Sequence, residues 1–217
     1  MFESIPSANL SPLAGRALTM IRTIFMISAV PALGLLLFQH CCAASEPRHG
    51  PATRIVVMKA RQVLELHENG GRSKTYRITL GTRPRGPKRI TGDKKTPEGE
   101  YFICYKSTAS KFHRFLGISY PGITDAQGAF ERGMISLDQR DSIIDSIKRA
   151  KKPPWNTKLG GWVGIHGYPS NEYLRKWAVL LLPKPHNWTD GCIAMWNFEI
   201  EELFSRVRVG TPVTILP

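Results

Sequence analysis

From Thr53 onward the apolar residues fall in short runs broken by polar and turn-forming residues. Arg54–Ala60 carries Ile55-Val56-Val57-Met58, the pattern of a buried strand. Val63-Leu64-Glu65-Leu66 follows, then Asn69-Gly70-Gly71, then Tyr76, Ile78 and Leu80 alternating with polar residues. Two alternating runs around an Asn-Gly-Gly turn predict a hairpin. Gly81–Pro97 is rich in Gly, Pro, Lys and Arg and predicts a loop; Glu100–Lys106 predicts another strand. Ile143, Ile144 and Ile147 share one face of a helix predicted over Asp138–Ala150, and Lys151–Gly161 predicts a second loop.

Towards the C-terminus, Gly161–Gly167 alternates Val163 and Ile165 against Gly164 and His166, which predicts a strand with His166 turned away from the core. A last helix is predicted from Asn197 as N-cap, with Glu199, Glu201 and Glu202 near its start and Arg206 and Arg208 near its end. Ile200, Leu203, Phe204 and Val207 form its apolar face, Gly210 stops it, and Val213–Leu216 makes a closing strand. Strands outnumber helices, so the expected class is mainly β with a few short helices.

The N-terminal segment has a different pattern. Arg16 and Arg22 precede an uncharged stretch from Thr23 to Ser45, whose apolar core runs from Ile24 to Phe38 and ends in Cys42-Ala43-Ala44. A basic flank, an apolar core and a small-x-small exit predict a signal peptide over residues 1–44. The same stretch is just long enough to span a bilayer, so a retained N-terminal membrane anchor is the alternative. Residues 45–52 form a polar, Pro-containing linker, and 53–217 form one domain. Either alternative exports the domain, to the periplasm or cell envelope.

Composition sharpens this picture. The 217 residues are 42% hydrophobic and 22% charged, enough for a packed core and unlike a disordered tail. Thirty Lys and Arg against 17 Asp and Glu give a net charge of +13. Removing residues 1–44 takes away Glu3, Arg16 and Arg22 and leaves +12. An excess of that size favours an anionic partner, and export argues against nucleic acid and for a cell-wall polymer. The basic clusters Lys88-Arg89, Lys94-Lys95 and Lys148–Lys152 are expected to be solvated surface.

Two of the four cysteines, Cys41 and Cys42, leave with the N-terminal segment, so Cys104 and Cys192 remain. A disulfide between them is one reading for an exported protein. The other is a reactive Cys192, in Thr189-Asp190-Gly191-Cys192-Ile193-Ala194 just before the last predicted helix. A helix N-terminus stabilises a thiolate, and the N–H groups of Gly191 and Cys192 are candidate oxyanion donors. A cysteine nucleophile needs a base. His166 is the candidate, ahead of His186 in a Pro-containing loop, His113, and the linker or surface residues His49 and His67. No Cys-x-x-Cys or His-x-x-x-His spacing points to a metal. Neither a Walker loop nor a serine nucleophile elbow is present.

Three stretches in order carry a family resemblance. Gly92–Ile103 contains Thr96-Pro97-Glu98-Gly99; Ile165-His166-Gly167 and Thr189-Asp190-Gly191-Cys192-Ile193 follow. Together they resemble the L,D-transpeptidase family with the YkuD-type catalytic domain, over about residues 53–217. The resemblance implies a β-rich, sandwich-like catalytic domain, Cys192 as nucleophile, His166 as general acid/base, and no cofactor. Thr189, Asp190, Gly191 and Gly167 are the implied substrate-binding or oxyanion residues. The implied partner is a peptidoglycan stem peptide, whose third-residue carbonyl is attacked to form a thioester that an amine or water resolves. Many members have Ser-His-Gly-Cys and an Arg shortly after the cysteine. Here Asp190 stands at that His position and Ala194 at the Arg position, a form similar to the branch with murein-linked lipoprotein hydrolases. The implied roles are therefore transfer in cell wall biogenesis, or hydrolysis that trims stems or releases a murein-linked lipoprotein. The alternative from another class is a catalytically silent peptidoglycan-binding module.

Overall fold

The computed structural model describes residues 53–169 and 187–217. The predicted signal or anchor over 1–44, the linker over 45–52, His49 and His186 lie outside the described residues.

Arg54–Met58 (β1), Val63–His67 (β2) and Ser73–Arg77 (β3) form an antiparallel meander. Ile55 lies opposite Leu66, Val57 opposite Leu64, and Leu64 opposite Tyr76, so the alternation puts all five on the buried face. Gly70 and Gly71 turn the chain at φ +87° and +80°, which explains why the turn is Asn-Gly-Gly. The remaining strands are Gly99–Ser110 (β4), His113–Ile118 (β5), Gly164–His166 (β6), Ile193–Ala194 (β7) and Pro212–Leu216 (β8). The helices are Ile123–Glu131 (α1), Leu137–Lys148 (α2) and Asn197–Arg206 (α3).

Eight strands make one sheet in the order β3-β2-β1-β8-β4-β5-β6-β7. The last strand slots into the middle, with Val213 opposite Ile55 in a parallel pair and opposite Tyr101 in an antiparallel one. Beyond β3, Thr79 exchanges two 2.8 Å backbone hydrogen bonds with Ala194 of β7, and Gly81 bridges Thr189. The two ends of the sheet therefore meet, and the sheet curls around a core that includes Ile55, Leu66, Ile103, Leu116 and Ile165. Ile200 and Leu203 of α3 close that core, and Phe204 packs against it. A smaller core holds α1 to α2 through Ala126, Ala129, Ile143 and Leu159. The mainly β class with a few short helices is the observed one.

Three differences from the sequence pattern have physical causes. β5 and α1 have no counterpart in the periodicity: Phe115, Leu116, Gly117 and Ile118 are all buried, so no alternation marks the strand. β4 continues past Lys106 to Ser110, because β5 pairs with it out to His113. α3 is capped by Trp196, whose N–H donates to Glu199 Oε2 at 3.3 Å, and Asn197 is the first helical residue. The Asn197 side chain is used elsewhere: its Oδ1 accepts the Tyr168 N–H at 2.7 Å.

Candidate active site

Strands β6 and β7 run parallel, with Ile165 opposite Ile193 and His166 opposite Ala194. Ile165 and Ile193 are fully buried in the core. Side chains alternate along a strand, so His166 and the residue before Ile193, Cys192, face the other side together. Both line one cavity of about 520 Å³, whose walls include Tyr105, Phe112, Phe115 and Trp162. Residues 26 apart in sequence thus meet because two short strands lie side by side.

The His166 ring is buried, with only 2% of its surface exposed. Its Nδ1 lies 2.7 Å from the Gly167 carbonyl oxygen. A carbonyl only accepts, so Nδ1 carries the hydrogen and Nε2 keeps its lone pair, the tautomer a base requires. Phe112 stacks on the ring at 4.5 Å and 25°, and Trp188 meets it edge-on at 5.7 Å and 73°. Burial pulls the imidazole pKa down to about 4, against the raising effect of the Gly167 hydrogen bond. Gly167 also donates its N–H to the Phe112 carbonyl at 3.0 Å, and a Cβ there would run into Asn197 Oδ1. Gly167, implied as a substrate or oxyanion residue, also orients the imidazole through its carbonyl.

The Cys192 thiol donates to the Trp162 carbonyl at 3.4 Å. Burial pushes its pKa up to about 11; the Gly164 N–H and Lys88 pull it down, and Asp190 pushes it further up. The helix expected to stabilise a thiolate begins at Asn197, beyond β7, and a helix-terminal effect fades within one turn. Burial thus favours the thiol and the neutral imidazole at neutral pH. Cys104, on β4, and Cys192 are both free thiols. Burial pushes the Cys104 thiol up to about 12.

The turn before Cys192 is rigidly built. The buried Thr189 donates its hydroxyl to the Cys192 carbonyl at 2.6 Å and accepts the Gly191 N–H at 3.2 Å. The Gly191 N–H, expected as an oxyanion donor, is thus engaged, which leaves the Cys192 N–H of that pair. Asp190 is exposed. Thr189 is pinned on both sides, its N–H to Leu80 O at 3.2 Å and its carbonyl to the Thr82 N–H at 3.0 Å. Gly191 sits at φ +127°, and a Cβ on it would lie 2.5 Å from the Lys95 carbonyl oxygen.

The Thr-Pro-Glu-Gly stretch supports this turn from behind. Thr96 Oγ1 accepts the Gly81 N–H at 3.0 Å. Two lysines not singled out for the site by the sequence pattern hold the same region. Lys59 is buried and donates to Gly86 O and Thr96 O at 2.9 Å and to Glu98 Oε1 at 2.7 Å. Lys88, expected to be solvated surface, is only 4% exposed and pairs with Asp93 at 2.8 Å. The sequence signals were slight: Lys59 directly follows an apolar strand, and Lys88 has Asp93 five residues on. Among the described residues no group of three or more His, Cys, Asp or Glu side chains is arranged to hold a metal ion.

The family described as YkuD, L,D-transpeptidase catalytic domain, matches residues 52–215. No curated protein matches the sequence at a significant level. Among solved structures, the helical cell shape determining protein Pgp2 from Campylobacter jejuni aligns at 21% identity and TM-score 0.47, covering 75% of this chain and 46% of that one. An L,D-transpeptidase from Xylanimonas cellulosilytica aligns at 15% identity and TM-score 0.40, covering 78% and 62%. L,D-transpeptidase 1 from Mycobacterium tuberculosis aligns at 14% and 0.39, covering 76% and 62%. The chain thus spans about half the length of the first of these structures and about three fifths of the other two.

Proposed function

The chain belongs to the YkuD-type L,D-transpeptidase catalytic-domain family, and from that premise we propose that it is an exported cysteine acyltransferase acting on peptidoglycan stem peptides. The observation that carries the reading is the shared face of β6 and β7, which brings Cys192 and His166 into one cavity. His166 Nε2 takes the thiol proton as Sγ attacks the stem carbonyl. The Cys192 N–H is the candidate donor to the developing oxyanion. The Sγ–carbonyl bond forms, the amide C–N bond breaks, and the proton held by His166 passes to the departing amine. An amine of a second stem, or water, then attacks the thioester, with His166 again taking the proton. Export is argued from the apolar segment and small-residue exit before Ser45.

Incubating the purified protein with tetrapeptide muropeptides and reading the products by mass spectrometry tests this function. Loss of the terminal residue with a transient adduct on Cys192, abolished in Cys192→Ala, is expected. Cross-linked product identifies transfer, and trimmed stems identify hydrolysis. Folded protein that yields neither product nor adduct would overturn the proposal. Sacculus binding that persists in Cys192→Ala, without turnover in the parent, would make it a binding module.

A further inference from the structure

The buried Lys88 is a charged side chain beneath the nucleophile turn that the mechanism above leaves unused. Its ammonium donates to Ile90 O at 3.0 Å and to Asp93 Oδ1 at 2.8 Å. Asp93 is itself the hub of the loop: Oδ2 accepts the N–H of Arg89 at 2.7 Å and of Ile90 at 3.1 Å, and Oδ1 accepts that of Lys95 at 3.1 Å. Burial alone would push this carboxyl up, yet the Lys88 ammonium and the three backbone donors outweigh it and hold it below its ordinary value. Asp93 is therefore an anion, fully hydrogen-bonded, with Lys88 as its counter-ion.

This clamp ends on the active cysteine. The Lys95 carbonyl, fixed by the bond from its own N–H to Asp93, packs against Gly191 so closely that no Cβ fits between them. The Lys88 ammonium lies 3.8 Å from where that Cβ would be. Lys88 and Asp93 thus hold the wall against which the Gly191–Cys192 turn rests. They also hold the Lys88 ammonium, paired with Asp93, against Gly191, the residue before Cys192, in a poorly solvated setting where charge is weakly screened. The charged or titratable groups around the sulfur are Lys88 from this loop, with Asp93 as its ion-pair partner, Asp190 from its own turn, His166 from β6, and Lys111 and Tyr105 on the wall of the same cavity. Asp190 is exposed and solvent-screened, and His166 is neutral until it takes the proton.

We propose that Lys88, clamped by Asp93, is a positioning residue for Cys192: it fixes the loop that supports the nucleophile turn and supplies the standing positive charge that the sulfur needs as it becomes thiolate. The inference concerns the nucleophile and rests on the proposed function only for its place in a reaction. Lys88 is buried and is not among the residues that line the cavity, so its effect is expected in kcat and in the reactivity of the thiol, not in KM.

The test is the pH dependence of Cys192 alkylation by iodoacetamide, which needs no substrate, read by mass spectrometry of the Cys192 peptide. Lys88→Gln keeps a donor for Asp93 and Ile90 O but removes the charge; Lys88→Met removes both. The Gln variant is expected to alkylate about tenfold more slowly at neutral pH, with its profile displaced about one unit to higher pH. The Met variant is expected to lose more, and Lys88→Arg to recover most of the parent rate. If Lys88→Met fails to fold, the Gln and Arg variants decide. A folded Lys88→Gln whose alkylation profile overlays the parent's overturns the charge role. A folded Lys88→Met that matches it as well overturns the proposal altogether. Absence of muropeptide turnover in the parent, with these alkylation shifts present, would reject the proposed function while leaving the role of Lys88 intact.

Discussion

Replacing Gly191 by alanine separates the two demands made on that residue. The first is conformational: φ is +127°, a region L residues rarely adopt, and forcing a side chain there costs roughly 1 kcal/mol or more. The second is steric: the new Cβ would stand 2.5 Å from the Lys95 carbonyl oxygen, about 0.9 Å inside ordinary contact. That oxygen belongs to a backbone fixed by Asp93, so the turn must move instead, at a further cost of about 1–3 kcal/mol. Together these predict a loss of about 2–4 kcal/mol, or a fall in Tm of roughly 5–15 °C for a domain of this size. The displacement also carries Cys192 away from its place beside His166, and a shift of about 1 Å costs on the order of 100-fold in rate. Gly210→Ala is the control. Gly210 also has a positive φ, +92°, but open space where the Cβ would go. It should lose only the conformational part, about 1 kcal/mol, and keep its activity. Calorimetry and muropeptide turnover on both variants give the two readouts. A Gly191→Ala protein that melts and turns over like Gly210→Ala would refute the steric reasoning.

Three further outcomes are expected. His166→Gln should keep the fold but lose about 10²–10⁴-fold in kcat, the usual share of a general base; the parent's kcat/KM should show an acid limb near pH 4, where the buried imidazole takes up a proton. The same imidazole should make stability depend on acid. Above pH 6.5 it is neutral in both states; between 6.5 and about 4 the unfolded chain binds a proton that the native state does not. Native stability therefore falls across that window by up to about 3 kcal/mol and loses nothing more to His166 below it. Urea unfolding at pH 7 and pH 4.5 should show the parent losing more than His166→Gln, and equal losses would reject this. Cys104→Ala should leave Cys192 alkylation and turnover close to the parent's, since both thiols are free in the fold; a large rise in Cys192 alkylation over the parent's would restore a disulfide between them.

Much of the scaffold was legible in the sequence because its signals are local. Alternation over residues 54–80 placed the meander, Asn69-Gly70-Gly71 placed its turn, and the apolar faces around Ile143 and Leu203 placed two helices. Strand β5 escaped because it is buried on both faces, so its run from Phe115 to Ile118 has no period to read. Asn197 has the chemistry of an N-cap, but its amide oxygen is drawn to Tyr168, a contact 29 residues back along the chain. Lys88 sits among other basic residues and looks solvated; only the packing of its loop against the Gly191 turn buries it.

By itself, then, the sequence determined the mainly β scaffold, the alternation that turns His166 away from Ile165, and the small-residue turn before Cys192. All of these follow from the sterics of neighbouring residues along one stretch of chain. What only the tertiary structure decided is that β6 and β7 lie side by side in parallel, in a register that brings Cys192 and His166 to one face. A slip of one residue would send one of them into the core. The curl of the sheet through Thr79 and Ala194, and the packing of the Lys95 carbonyl against Gly191, are decided at the same level. These are contacts between distant segments, fixed by how whole elements pack and by where water is excluded, and no local pattern encodes them.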